Sequence, residues 1–421
     1  MKIVDRFLQY TRINTTTNRE NGAAGIMPSS EGQMVLARLL ADELDALGMK
    51  DIVLRDTAIL TATLPSNIPA NLTGNQHVPT VSFFAHLDTS AEQKNDTRAQ
   101  VVSYHGGDIC LNADLGIALK QSDFPELNNY VGDDILVTDG TSLLGADDKA
   151  AIAAIMHALQ TLQSNTEILH GDVKVAFLPD EEQGLRGAKA FDVETFGADF
   201  GYTLDCCGIG EFVHENWNAG DAIVTFTGQS AHPMSAKGKL KNSLLMAHQF
   251  ISMLPAGEAP QYTEGREGYY WVKEMSGNSA KTVLKLDIRD FTQQGYRDRM
   301  AFLQTLTNNC VTLWGDASVS IHLADRYENV ANSLEGDASF PIDIAKEAYA
   351  RNNINMIAIP MRGGYDGAVL SQKGLPCPNI FTGAHNFHSI YEYLPVTSLK
   401  AASDVVVEVI KITAERASHP R

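Results

Sequence analysis

The sequence predicts an α/β protein: a mostly parallel sheet with helices on both faces, interrupted by an inserted ferredoxin-like α+β domain. Three observations support this. Over the first 216 residues, short strands rich in β-branched and aromatic residues alternate with helical patterns, which implies parallel pairing under covering helices. From residue 217 the order becomes β-α-β-β-α-β, the ferredoxin-like unit. After residue 333 the α/β alternation resumes. One α/β domain, residues 1–216 and 334–421, thus leaves and returns around an insert at 217–333.

The elements follow in order. MKIVDRFLQYTRI places Val4, Phe7 and Leu8 on one helical face, while Asp5 and Arg6 interrupt the apolar run a secretory leader needs. SSEGQMVLARLLADELDALGM reads as a helix from Glu31, with Ser30 as its cap and Gly48 at its stop. TVSFFAHLD, residues 80–88, is a buried strand. A long polar stretch follows, broken by Gly106–Gly107, Pro125 and Asp133–Asp134. DDKAAIAAIMHALQTL is a helix with Asp147 or Asp148 in its first turn, where a carboxylate suits the macrodipole. DVKVAFLP (172–179) and ADFGYTLD (198–205) are strands.

Within the insert, DAIVTFTG, GYYWVKEM, AKTVLKLDIRDF and ASVSIHLADRY read as strands. NSLLMAHQFISML and YRDRMAFLQTLTNN read as helices. Beyond it come a helix at 341–352, the strand NMIAIP, the helix DGAVLSQKG, the strand PNIFTG and a last helix from Ser398.

Composition narrows the partners. The 421 residues carry 33 Lys+Arg against 51 Asp+Glu, a net charge of −18 that argues against nucleic acid or an anionic membrane surface. An apolar fraction of 44% supplies a sizeable core. Five cysteines (Cys110, Cys206, Cys207, Cys310 and Cys377) without a CxxC are too few for a disulfide framework, so a reducing cytoplasm is expected. Nowhere does an apolar run approach the ~18 residues of a membrane-spanning helix.

In open α/β sheets, ligands bind at the carboxyl ends of the strands, and candidate metal ligands gather there. His86 and Asp88 close SFFAHLD at spacing i, i+2, so both leave the strand on one face. Asp147 and Asp148 open a helix directly after a glycine; taken alone they are ordinary N-caps. Glu181 and Glu182 follow KVAFLPD, where a solvated turn is the ordinary reading and a ligand beside a proton carrier the functional one. Asp205 ends GYTLD, and His388, with His385 nearby, follows PNIFTG. Each is weak alone. Together, two imidazoles and several carboxylates without cysteine suit Zn²⁺, with Co²⁺ or Mn²⁺ as substitutes, and two ions would need a bridging carboxylate. Phosphate-loop and serine-hydrolase chemistry lack support, because neither GxGxxG, GxxxxGK[ST] nor GxSxG occurs.

HLDTS, LLGADDKAAIA, PDEEQGLRGAKAFD, YTLD, GQSAHP and RGGYDGAVLSQKGLPCPNIFTGAHNFHSIYE occur in this order. Over nearly the whole chain the sequence resembles the family of dizinc aminopeptidases, carboxypeptidases and deacylases. GADDKA, FDVETFGAD and GLPCPNIFTG lean towards its tripeptide aminopeptidases. The resemblance implies a catalytic domain of the zinc-peptidase kind with the insert as a lid. It implies two Zn²⁺ per chain: His86, Asp147 and Asp205 on one, Asp147, Glu182 and His388 on the other. Asp88 would hydrogen-bond His86, and Glu181 would be the general base. His388 fits better than His385 because the family pattern places the ligand four residues before a glutamate, here Glu392. His232 would donate to the oxyanion, Arg289 and Arg362 would grip the substrate's C-terminal carboxylate, and Asn386 would touch substrate. One departure is Cys206–Cys207, where the family commonly shows glycine-rich sequence.

The implied activity is release of the N-terminal residue from short peptides, with a homodimer through the insert by analogy. A deacylase or dipeptidase on the same scaffold is the neighbouring reading. A non-catalytic metal or peptide binder is the reading from another class; it has no use for Glu181 beside Glu182.

Overall fold

Three strands that are buried on nearly every residue, β3 (Val81–His86), β8 (Val173–Leu178) and β9 (Phe200–Cys206), explain why the sheet pairs in parallel at its centre. Strands with no polar face need covering on both sides, which crossover helices provide. The structure is a computed structural model, described here for residues 1–69, 77–93, 96–206 and 208–418; Cys207 lies outside the described residues.

The main sheet adds β1 (Lys50–Leu54), β2 (Leu60–Leu64), β10 (Glu211–Val213), β15 (Ile357–Ala358) and β16 (Asn379–Phe381), in the order β1-β2-β8-β3-β9-β16-β10-β15. Pairs β3/β8, β3/β9, β9/β16 and β10/β15 are parallel, while β1/β2, β2/β8 and β10/β16 are antiparallel. Helices α1 (Ile3–Thr11), α3 (Glu31–Ala46), α4 (Ala146–Ser164), α9 (Phe340–Arg351) and α11 (Val396–Ser418) share one core with the sheet. The short helices α2 (Arg19–Ala23), α5 (Arg186–Ala190), α6 (Val193–Phe196) and α10 (Asp366–Gln372) connect or flank these elements. Helix α4 is buried on every residue from Ala146 to Met156, and its alanines let neighbouring elements approach closely.

Three local expectations change. The buried face of α1 is centred on Ile3, Arg6, Phe7, Tyr10 and Thr11, with Val4 and Leu8 half-buried at the edge of the core. Arg6 lies inside because Glu43 pairs with it at 3.4 Å and also accepts from the Tyr10 hydroxyl at 2.9 Å. Ser30 occupies the cap position of α3 but makes no capping bond; its Oγ accepts from Gln33 Nε2 at 3.1 Å. Helix α11 starts at Val396 rather than Ser398, its first turn held by Asp133, which accepts the Thr397 N–H at 3.2 Å.

The polar stretch read between 89 and 145 contains short strands: β4 (Gln100–Ser103), β5 (Ile109–Asn112), β6 (Ile117–Leu119) and β7 (Asp134–Val137). β7 pairs with β4 and with β17 (Leu394–Pro395), and β5 with β6. Tyr104, Leu119, Leu127, Ile135 and Tyr393 give this region its own core. Strands of three or four residues bury too little to announce themselves by pattern.

The chain divides into two compact units: Met1–His214 with Ser333–Ile359 and Tyr365–Arg421, and Glu215–Asn332 with Pro360–Gly364. The second is a sheet of β12 (Tyr269–Gly277), β13 (Lys281–Asp290), β11 (Asn218–Thr227) and β14 (Val319–Tyr327), in that order and antiparallel throughout. Helices α7 (Ser243–Ser252) and α8 (Gln293–Trp314) pack on it around Val224, Phe226, Phe250, Leu286 and Leu303. Among the described residues no helix is long and apolar enough to cross a membrane.

Candidate metal centre

The carboxyl ends of β3, β8 and β9, the start of α4 and the loop after β16 deliver two imidazoles and five carboxylates to one place in the first unit. Ligand-capable atoms of His86, Asp147, Asp148 and Asp205 lie within 4.8 Å of one another, as do those of His86, Glu181 and Glu182, and those of Asp147, Glu182 and His388. Asp147 stands at the middle. Its Oδ1 is 2.9 Å from His86 Nε2 and its Oδ2 is 3.1 Å from His388 Nε2. Glu182 approaches His388 Nε2 at 2.7 Å.

Backbone geometry fixes these groups. The Asp147 and Asp148 backbones are non-helical, so both side chains are set by the turn that precedes the regular part of α4. Asp148 accepts the His86 N–H at 3.0 Å with one oxygen, while its other oxygen is buried without a partner. Asn379 brackets Asp205, accepting its N–H and donating to its carbonyl, each at 2.7 Å. Glu392 accepts the N–H groups of Gly145 at 2.8 Å and Asp147 at 3.0 Å. Sequence reasoning does not single out Asn379 and Glu392 as site residues; only the four-residue spacing from His388 to Glu392 hints at the second.

The electrostatics favour cations. Burial raises the carboxyl groups of Glu181, Asp205 and Asp148, with further repulsion from neighbouring carboxylates. Burial and Asp147 raise Glu182. Burial works the same way on Asp147, yet hydrogen bonds from His388 and His86 hold it below the usual carboxylate range. Hydrogen bonds to Asp147 and Glu182 push His388 up to about 11. Carboxylates packed this closely repel one another and favour positive charge between them. A donor set of imidazole nitrogen and carboxylate oxygen, with an orphaned Asp148 oxygen beside it, fits divalent metal.

Asp88 meets His86 and also the turn after β8. His86 Nδ1 faces the Asp88 carbonyl oxygen at 2.9 Å, while the Asp88 carboxylate is 3.4 Å away. That carboxylate accepts the N–H groups of Glu181 at 2.9 Å and Glu182 at 3.1 Å, which ties β3 to the turn after β8. His385 is outside the cluster. It stacks on Tyr393 with centroids 4.7 Å apart, takes the Tyr130 hydroxyl at 2.7 Å, and is pushed down to about 4 by burial.

The expected substrate residues divide between the units. Asn386 is in the first, at φ 59°, its amide donating to the Tyr391 carbonyl at 3.0 Å and so shaping the His388 loop. His232, Arg289 and Arg362 are in the second. His232 is exposed and caps a short turn by accepting the Met234 N–H at 3.2 Å. Arg289 is only 6% exposed and committed to Asp287, Gly220 and Ile288, so it is not free to grip a ligand. Arg362 lies 4.6 Å over the Trp217 ring and donates to Thr263 Oγ1 at 2.9 Å and to the carbonyls of Gly265 at 3.1 Å and Glu267 at 3.3 Å, so it too is engaged.

Known proteins match along the whole chain. The model of Peptidase family M20/M25/M40 matches residues 144–412, and that of Peptidase family M28 matches 67–211. Peptidase T of Bacillus licheniformis is 41% identical over 418 residues, 99% of this chain and 99% of its own. The crystal structure of aminopeptidase PepT from Bacillus cereus superposes with a TM-score of 0.76 at 21% identity, covering 98% of each chain. A dinuclear metal-binding M20 peptidase of Bacillus subtilis superposes with a TM-score of 0.64 at 13% identity, again covering 98% of each. The chain therefore belongs to peptidase family M20/M25/M40, within its peptidase T group.

Proposed function

We propose that the chain is a dizinc aminopeptidase that releases the N-terminal residue of tripeptides. The observation that carries this is Asp147, one carboxylate with each oxygen turned to a different imidazole. His86, Asp147 and Asp205 would hold one ion, and Asp147, Glu182 and His388 the other, with Asp147 shared. When bound, such ions lower the pKa of a water between them and polarise a peptide carbonyl. Co²⁺ or Mn²⁺ suits the same donors.

Glu181 is the proton carrier. Its backbone is held by Asp88, and burial raises its carboxyl group, which suits a base that must later act as an acid. It takes a proton from the attacking water and returns it to the departing amine nitrogen. His232, exposed and with one ring nitrogen accepting the Met234 N–H, is assigned by kinship alone to the developing oxyanion. Arg362, half-buried, is assigned to the substrate's terminal carboxylate, which it would grip by exchanging its bonds to Gly265, Glu267 and Thr263, and Asn386 is assigned to shaping the His388 loop.

Tripeptide preference rests on kinship with the peptidase T group. The test compares free tripeptides, dipeptides, N-blocked tripeptides and N-acyl amino acids. Rapid cleavage of free tripeptides alone is expected. Equal cleavage of blocked peptides would replace this reading with the deacylase one. A cytoplasmic home accords with the cysteine usage. A homodimer through the second unit is part of the same reading, supported by exposed Leu245, Trp271 and Met275, and sedimentation of the purified protein tests it.

A further inference from the structure

Gln33 is fully buried in the first turn of α3, and its amide is used twice on a single residue. Its Nε2 donates to Asp180 Oδ1 at 2.8 Å, and its Oε1 accepts the backbone N–H of Asp180 at 3.0 Å. The same Nε2 lies 3.1 Å from Ser30 Oγ and 3.3 Å from Ser29 Oγ. Asp180 immediately precedes Glu181. It is wholly buried and sits at φ 56°, in the left-handed region that few non-glycine residues other than asparagine and aspartate enter.

The rest of the Asp180 carboxylate is also occupied. The Ser29 N–H reaches both oxygens at 3.0 Å, and Arg186 Nη1 reaches Oδ2 at 2.8 Å. Across the turn, Asp88 holds the N–H groups of Glu181 and Glu182. The backbone carrying Glu181 is thus fixed from two sides, by β3 through Asp88 and by α3 through Gln33. A leucine would fill the α3 position without burying an amide. The amide is useful where Asp180 needs both a donor and an acceptor.

We propose that Gln33 is a positioning residue for peptide hydrolysis, acting through Asp180 to aim the Glu181 carboxylate. This rests on the assignment of Glu181 as the base. Misaiming a proton carrier lowers turnover without weakening substrate binding.

Gln33→Met keeps the volume and removes both hydrogen bonds. With metal content unchanged, kcat on a free tripeptide is expected to fall about 10–100-fold, with KM within about twofold. A reversed pair provides the second test. In Asp180→Asn alone, an amide faces the Gln33 amide; in Gln33→Glu alone, two carboxylates face each other. In the double variant, the amide introduced at position 180 can donate to the carboxylate introduced at position 33, which still accepts the backbone N–H, so kcat should recover relative to Asp180→Asn, which weakens the Arg186 and Ser29 contacts equally. The proposal is overturned if Gln33→Met retains kcat, if its kcat falls only in step with bound metal, or if the double variant is no better than Asp180→Asn. If Gln33→Met does not fold, the reversed pair decides. Glu181→Gln, assayed alongside, separates the two levels. Surviving turnover there would remove the base assignment itself, whereas loss there with an unaffected Gln33→Met would remove only the role of Gln33.

Discussion

Glu392 Oε1 accepts the backbone N–H of Asp147 at 3.0 Å, so the carboxylate placed between the two imidazoles is aimed by another carboxylate behind it. Its second oxygen takes the Gly145 N–H at 2.8 Å. Two acceptors are needed here, and an amide supplies one. Glu392→Gln is therefore expected to turn an NH₂ group against a backbone donor and tilt the start of α4. Metal affinity should drop about 10–100-fold, the usual effect of losing a group that orients a ligand. Competition with a chelator measures it. Unchanged affinity would mean that the α4 turn holds Asp147 unaided.

Asp147→Asn tests the shared position directly. An amide presents one oxygen, so the side chain can no longer face His86 and His388 alike. Bound zinc is expected to fall below two per chain, and turnover should fall by about 10²-fold or more. Elemental analysis of the purified variant decides. Two zinc per chain would show that Asp147 is not the bridge.

Much of this centre is legible in the sequence because its chemistry dictates residue types at strand ends. His86, Asp205 and the Glu181–Glu182 pair stand out against the apolar strands before them. The supporting groups do not. Gln33 looks like any polar residue in the first turn of a helix, and Asn379 like a strand-edge asparagine. Their partners, Asp180 and Asp205, are 147 and 174 positions away. Asp88 is legible as a site residue but its partner is not, since spacing i, i+2 shows which face a side chain leaves but not which N–H groups wait there. The same limit hides the buried role of Arg6, whose partner Glu43 belongs to another helix.

Glu181→Gln separates chemistry from metal binding. The amide has nearly the same shape and cannot carry the proton. Both metals should remain, KM should change little, and kcat should fall about 10²–10⁴-fold. Steady-state kinetics with parallel metal analysis is the check. A variant with near-normal kcat would force the base to be sought elsewhere.

His385 makes a prediction about stability rather than catalysis. Burial between Tyr130 and Tyr393 pushes it down to about 4, from an ordinary value near 6.5. The unfolded chain therefore takes up this proton first as pH falls. Stability from the neutral ring is full above about pH 6.5 and is lost progressively down to about pH 4. Between pH 7 and 5 the loss should be about 2 kcal/mol from this residue. His385→Gln keeps a polar group against the Tyr130 hydroxyl but does not titrate. Urea unfolding of both proteins, stripped of metal so that the ligands contribute equally, should show the pH 7 to pH 5 drop smaller by that amount in the variant. Equal drops would mean that the ring protonates in place, with the Tyr130 hydroxyl accepting from its Nε2.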